Sequence, residues 1–157
     1  MKKKKVVVIS LLLLLVSVIG ISSYFLFKDK INLLDVDHSA VDWNGKKQKD
    51  TSGEENTIAI PGFEKVTLYA NETTQVVNFH NPEINDCYFK ISLIHPDGSV
   101  LWISDLIEPG KGMYSIELEK TLAVGEYENA VLKYECFSLN DQSPLNGSEI
   151  NLKLVVV

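Results

Sequence analysis

Three histidines, two cysteines and a scatter of carboxylates are the side chains of this 157-residue chain with the chemistry to catalyse or to ligate. His38, His80 and His95 lie far apart in sequence. No His-x-His, HExxH or Cys-x-x-Cys spacing occurs, so neither a zinc nor a copper site is expected. Ser104-Asp105, with His95 nine residues upstream of Ser104, supplies a nucleophile and a base on paper. The chain has no Gly-x-Ser-x-Gly elbow, phosphate loop or Gly-rich dinucleotide fingerprint to position such a set. The expectation is a protein that is not an enzyme and has no cofactor. Asp86 and Asp141 could offer oxygen ligands to calcium, but no EF-hand pattern surrounds them. Asparagine and aspartate also fill turns for conformational reasons, so carboxylates and amides in loops are weighed first as turn chemistry.

Charge is divided unevenly along the chain. The formal net charge is −6, and arginine is absent. Lys2, Lys3, Lys4 and Lys5 carry +4, so the remaining 11 lysines against 21 acids leave −10 for everything downstream. A nucleic-acid binder masses cations on its folded part, and this chain does the reverse. Residues 6–27, VVVISLLLLLVSVIGISSYFLF, carry no charge. As a helix they would reach about 33 Å, enough to cross a bilayer core. Lysines ahead of such a segment hold the N-terminus in the cytoplasm and send the rest of the chain out. The reading is a cytoplasmic stub at 1–5 and one transmembrane signal anchor at 6–27, hence a single-pass membrane protein working outside the cytoplasm. The alternative is a cleaved signal peptide and a secreted product. With abundant lysine and asparagine and no arginine, the composition resembles that of exported proteins of AT-rich Gram-positive bacteria.

Residues 28–56 hold 7 acids and 5 lysines without a sustained period of 2 or 3.6, and they read as a flexible acidic linker. Trp43 is its one large residue and is expected to pack locally on the domain or membrane surface. From residue 57 the period switches to 2. Short alternating segments occur at 66–70, 75–80, 87–95, 99–103, 112–118, 126–137 and 150–157, punctuated by Pro96-Asp97-Gly98 and Pro109-Gly110. About seven strands in roughly 100 residues, with no helical pattern, predict an all-β domain over 57–157, built as a two-sheet sandwich.

Leu122-Ala123-Val124-Gly125-Glu126-Tyr127 resembles the Leu-x-x-Gly-x-Tyr turn that opens strand F in immunoglobulin-like and fibronectin-like domains. The resemblance implies strands A, B, C, C′, E, F and G in the order just given, with Leu118 and Leu122 anchoring the E–F corner and Trp102 in the core. It also implies that C and F are neighbours, which places Cys87 and Cys136 side by side on the core face. A disulfide between them is the expectation, and a pair of buried thiols is the alternative. A second mapping takes Cys87 as strand B and Trp102 as the strand-C Trp, at the cost of two surplus strands before it.

The same map brings the B–C loop, residues 81–86, and the F–G loop, residues 138–149, to one end of the sandwich. Asn81, Asp86, Asn140, Asp141 and Asn146 are the candidate binding residues there, suited to a cation, a glycan or a peptide. The apolar C-terminal strand is either core or an edge for strand addition by a partner. The functional expectation is a membrane-anchored extracytoplasmic interaction module, a non-catalytic cell-surface accessory or adhesin-like protein with a protein or glycan partner. The alternative is a small envelope ligand-binding or inhibitor protein that uses the two loops. A fold alone carries no function.

Overall fold

The computed structural model describes residues 33–45 and 57–157. The stub, the anchor at 6–27 and residues 28–32 and 46–56 of the linker lie outside the described residues. Among the described residues no helix is long and apolar enough to cross a membrane. The described residues form eight strands: β1 (Val41–Asp42), β2 (Lys65–Leu68), β3 (Thr74–His80), β4 (Cys87–Ile94), β5 (Val100–Ile103), β6 (Lys111–Glu117), β7 (Gly125–Ser138) and β8 (Pro144–Val156). They make two sheets, one of three strands in the order β1-β6-β3 and one of five in the order β2-β8-β7-β4-β5.

Alternation decides which side of each strand meets the other sheet. Cys87, Phe89, Ile91 and Leu93 of β4 are buried, and so are Ala130, Leu132, Tyr134 and Cys136 of β7 and Leu152, Leu154 and Val156 of β8. From the opposite sheet Val77, Phe79, Met113 and Ile116 meet them in one cluster. Phe79 stacks on Trp102 at 5.8 Å between ring centroids, and Phe89 meets Tyr134 edge-on at 5.3 Å. Trp102 is therefore core, as expected.

β4 and β7 are antiparallel neighbours from Cys87↔Ser138 to Ile94↔Val131. In that register Cys136 lies opposite Phe89, two residues along from Cys87. Both cysteines are buried free thiols, and the disulfide is not formed. The thiol alternative is the one observed, because neighbouring antiparallel strands present the two residues diagonally.

At the corner before β7, Leu118 and Leu122 are buried, and the Tyr127 hydroxyl donates to the Ala123 carbonyl at 3.0 Å. The chain is thereby tied across the turn. The C-terminal strand is not a free edge at its end: β2 pairs with it in parallel from Lys65↔Lys153 to Leu68↔Val156, and Val157 bonds to Leu68 and Ala70.

Two departures from the sequence reading matter for function. The first is that the loop expected over 138–149 is largely strand. β7 and β8 stay paired up to Phe137↔Pro144, leaving a tight turn at 139–143. The hairpin escapes regular alternation through a bulge between Leu145 and Ser148. Gly147 sits there because a Cβ would lie 2.2 Å from the Tyr134 carbonyl oxygen.

The second departure is that residues 34–45 of the supposed linker belong to the sandwich, in one compact unit spanning Leu34–Val157. Val36 bridges Leu106, β1 pairs with β6, and Trp43 lies over Gly112. Its indole stacks on His80 at 3.8 Å and donates through Nε1 to Asn78 Oδ1 at 2.7 Å. Gly112 has no Cβ where one would lie 2.7 Å from the Trp43 ring. Residues 34–45 thus form a strap across the domain.

Candidate functional site

The five candidate residues meet different fates. The connection from β3 to β4 and the turn from β7 to β8 do share one end of the sandwich, since β4 begins opposite the end of β7. Asn81, however, is fully buried. Its Nδ2 donates to the carbonyls of Cys87 at 2.8 Å and Ile107 at 3.0 Å, and its Oδ1 accepts from Asn85 Nδ2 at 2.9 Å. Asn85 in turn grips the backbone of Ala59, accepting from its N–H at 2.8 Å and donating to its carbonyl at 3.0 Å. Such a pair satisfies buried backbone groups that no strand reaches. Asn81 is a structural residue.

Asp86, Asn140, Asp141 and Asn146 are exposed. Asp141 Oδ1 accepts from the Ser143 N–H at 3.0 Å, closing the turn, and the Ser143 backbone and hydroxyl hold its carboxyl below the usual range. Asn140 donates its N–H to Ser138 Oγ at 3.2 Å. Asn146 stands within β8, beside the bulge. Among the described residues no group of three or more His, Cys, Asp or Glu side chains is placed to hold a metal ion.

Apolar side chains complete this end. Ile84 at the tip of the β3–β4 connection is 74% exposed, and Leu139 and Leu145 are both more than 40% exposed. Leu145 also lines a shallow hollow of about 340 Å³ at the bulge, with Lys133, Glu135, Phe137, Gly147 and Glu149. Lys133 lies 3.6 Å from Glu135 and faces Glu149 across the hairpin. Segments 81–86 and 138–149 contain the acids Glu83, Asp86, Asp141 and Glu149 and no lysine.

The paper nucleophile set does not assemble. Ser104 is buried beside β4, where its hydroxyl accepts from the Ile91 N–H at 2.8 Å. His95 lies four residues further along, at the opposite end of β5, with Nδ1 3.0 Å from Asp97. Asp97 is held below the usual carboxylate range by the Ser99 hydroxyl and N–H, then by His95. Burial raises the Tyr134 phenol and keeps it neutral, and the Cys87 sulfur and burial together raise the Cys136 thiol.

The amide clamps were not read from the sequence. Gln75, buried, binds the Tyr69 backbone on both sides at 2.7 and 2.9 Å and also donates to Glu72. Gln142, at a φ of 55° in the β7–β8 turn, does the same for Leu34 across 108 residues. Only Trp43, an aromatic alone among acids, offered a signal for the strap. Comparison with models of known protein families, with curated proteins and with solved structures found no match for this chain.

Proposed function

We propose that the chain is a membrane-anchored, non-catalytic interaction module whose immunoglobulin-like sandwich works outside the cytoplasm and meets a protein partner through the loop end. The immunoglobulin-like assignment is supported by the sequence β8-β7-β4-β5 in one sheet, matching G-F-C-C′, by the β3–β6 pair as B and E, and by the Tyr127 corner. The observation that carries the functional reading is the chemistry left over at the loop end. Its buried amides are consumed within the fold, which leaves exposed Ile84, Leu139 and Leu145 in a segment pair whose charged side chains are all acidic. That combination suits a protein surface of apolar and basic side chains better than a glycan, whose hydroxyls need amide and carboxylate groups converging on one spot.

A photo-crosslinking residue placed at Ile84 or at Leu145 in living cells tests this. The expected result is a discrete protein adduct from both positions and none from Val124, which is exposed at the far end of β7. Adducts from Val124 alone would overturn the reading. So would adducts that persist unchanged after Ile84→Asp and Leu139→Asp.

A further inference from the structure

We propose that two copies of the chain pair face to face through the outer surface of the five-stranded sheet, about a two-fold axis that crosses β7 at Tyr134. The inference goes beyond the loop-end reading, since Ile84 and Leu139 lie outside the paired rows.

Alternation fixes what that surface carries. Phe89, Ile91 and Leu93 of β4 point into the core, so Tyr88, Lys90, Ser92 and Ile94 point outward. On β7 the outward set is Val131, Lys133, Glu135 and Phe137, for the same reason. The register arranges them in rows across the sheet. Tyr88 lies beside Phe137, Lys90 beside Glu135, Ser92 beside Lys133, and Ile94 beside Val131. β8 adds Glu149 to the row of Lys133. β5 adds Ile103 to that row and Val100 to the next, exposed by 46% and 45%.

Charge sets this surface apart from the rest of the domain. Lys90 and Lys133 stand on it, and so do Lys153 and its register neighbour Lys65, which makes four of the six lysines of residues 57–157. Its acids are Glu135 and Glu149 together with Glu126 and Glu128, which lie 2.6 and 2.9 Å from Lys153 Nζ. Four of the 14 acids of 57–157 are thus balanced here, and the rest of the domain is left with ten acids and two lysines. Two such domains repel each other wherever those acids meet, and the neutral sheet surface is where a second copy approaches without that cost. A basic partner would be drawn to the acidic remainder instead.

The rows are also complementary to themselves. An axis lying between the two faces, at right angles to β7 over Tyr134, sets each row of one copy against a different row of the other. Lys133 then faces Glu135 of the second copy, and Glu135 faces its Lys133. The aromatic row of Tyr88 and Phe137 falls on the aliphatic row of Ile94 and Val131, twice by symmetry. An axis running along β7 would set Lys133 on Lys133 and Glu135 on Glu135, so charge selects the first arrangement. Packed sheets lie about 10 Å apart, a gap that a lysine and a glutamate side chain span together. Four strands about 4.8 Å apart and seven residues long make a face of about 19 by 23 Å, and the two copies together cover roughly 900 Å² in projection. That is close to the lower limit of about 1,000 Å² for a specific interface, which makes the dimer a reversible one.

Charge reversal tests this on the full-length chain in detergent, with micelles in excess over protein and association read by sedimentation equilibrium. The parent is expected to dimerise reversibly below about 100 µM. Lys133→Glu alone and Glu135→Lys alone each set like charges together twice, and each should weaken dimerisation at least about tenfold. An equimolar mixture of the two variants restores opposite charges at both contacts and should associate as tightly as the parent. The double variant Lys133→Glu/Glu135→Lys should do the same. A short bis-maleimide should join Lys133→Cys chains to Glu135→Cys chains and leave Thr67→Cys chains, at the far corner of the same surface, unjoined. Cys87 and Cys136 are buried and do not compete. A parent that stays monomeric at about 100 µM would overturn the proposal. So would a dimer that both reversals leave intact, single variants that keep the parent's urea midpoint yet do not recover on mixing, or crosslinks between Thr67→Cys chains alone.

Discussion

Asn81 separates the two readings of the loop end, because the sequence marks it as a ligand contact and the structure makes it a brace. Asn81→Ala removes the donor from the Cys87 carbonyl and the acceptor from one Asn85 N–H, both inside the protein. The Ile107 carbonyl keeps a donor, the Phe89 N–H at 3.0 Å, so it contributes less. Each buried group left unsatisfied costs about 1–3 kcal/mol, which puts the loss near 3 kcal/mol. Against a total stability of about 5–15 kcal/mol this is a large fraction. With a urea slope of about 1.5 kcal/mol per molar, the unfolding midpoint falls by about 2 M. The assay is urea unfolding of the full-length chain in detergent, followed by tryptophan fluorescence, with Asp86→Asn, an exposed position, as a surface control expected within about 0.5 kcal/mol of the parent. A shift below 1 kcal/mol for Asn81→Ala, together with lost Ile84 crosslinking, would refute the argument and return Asn81 to the binding site.

Tyr127→Phe removes the hydroxyl bond to Ala123 and should lower stability by about 1 kcal/mol in the same assay without changing crosslinking. Trp43→Ala empties the seat over Gly112 and should cost about 2 kcal/mol, with faster proteolysis within 34–45 as the companion measurement. A thiol reagent should titrate no cysteine in the folded protein and two per chain in denaturant without reductant; two unreactive residues in denaturant would indicate a disulfide after all. The carboxyls of Asp97 and Asp141 are depressed in the fold, so their contribution is present above the unfolded carboxylate range and disappears as pH falls through the folded values. The unfolding midpoint should therefore hold from pH 7 to 5 as far as these groups are concerned and drop below about pH 4, less steeply in Asp97→Asn. Lys153 and Lys111 are raised by Glu126 and Asp42, whose carboxyls are lowered in return, so these exposed pairs are lost as pH climbs beyond the ordinary lysine range and also as it falls through the carboxylate range, in the same acid window.

The strands were legible because alternation with period 2 is local. Seven segments read from the pattern correspond to β2 through β8, with starts and ends within two residues except where β8 begins, six residues early. That exception has a local cause. Pro144 and Gly147 look like loop residues, yet Pro144 begins the strand, where no N–H is needed, and Gly147 is required by the bulge. Which amides serve the fold and which face solvent was not legible, since Asn81 and Asp86 sit in the same Asn-Pro-Glu-Ile-Asn-Asp stretch. Only the position of the Cys87 and Ile107 carbonyls tells them apart.

From the sequence by itself came the all-β character, the core faces, and the charge split between a basic N-terminus and an acidic remainder, whereas the neighbouring of β4 and β7 came from the resemblance of Leu122–Tyr127 to an immunoglobulin-like corner. The first three follow from residue types at fixed short spacing, which local physics converts directly into structure. Tertiary structure alone decided that residues 34–45 are a strap, that Gln142 grips Leu34 across 108 residues, and that Cys87 and Cys136 stand diagonal. Such contacts join chain segments whose separation leaves no periodic trace. They exist because buried backbone groups must find partners wherever the fold brings side chains within reach.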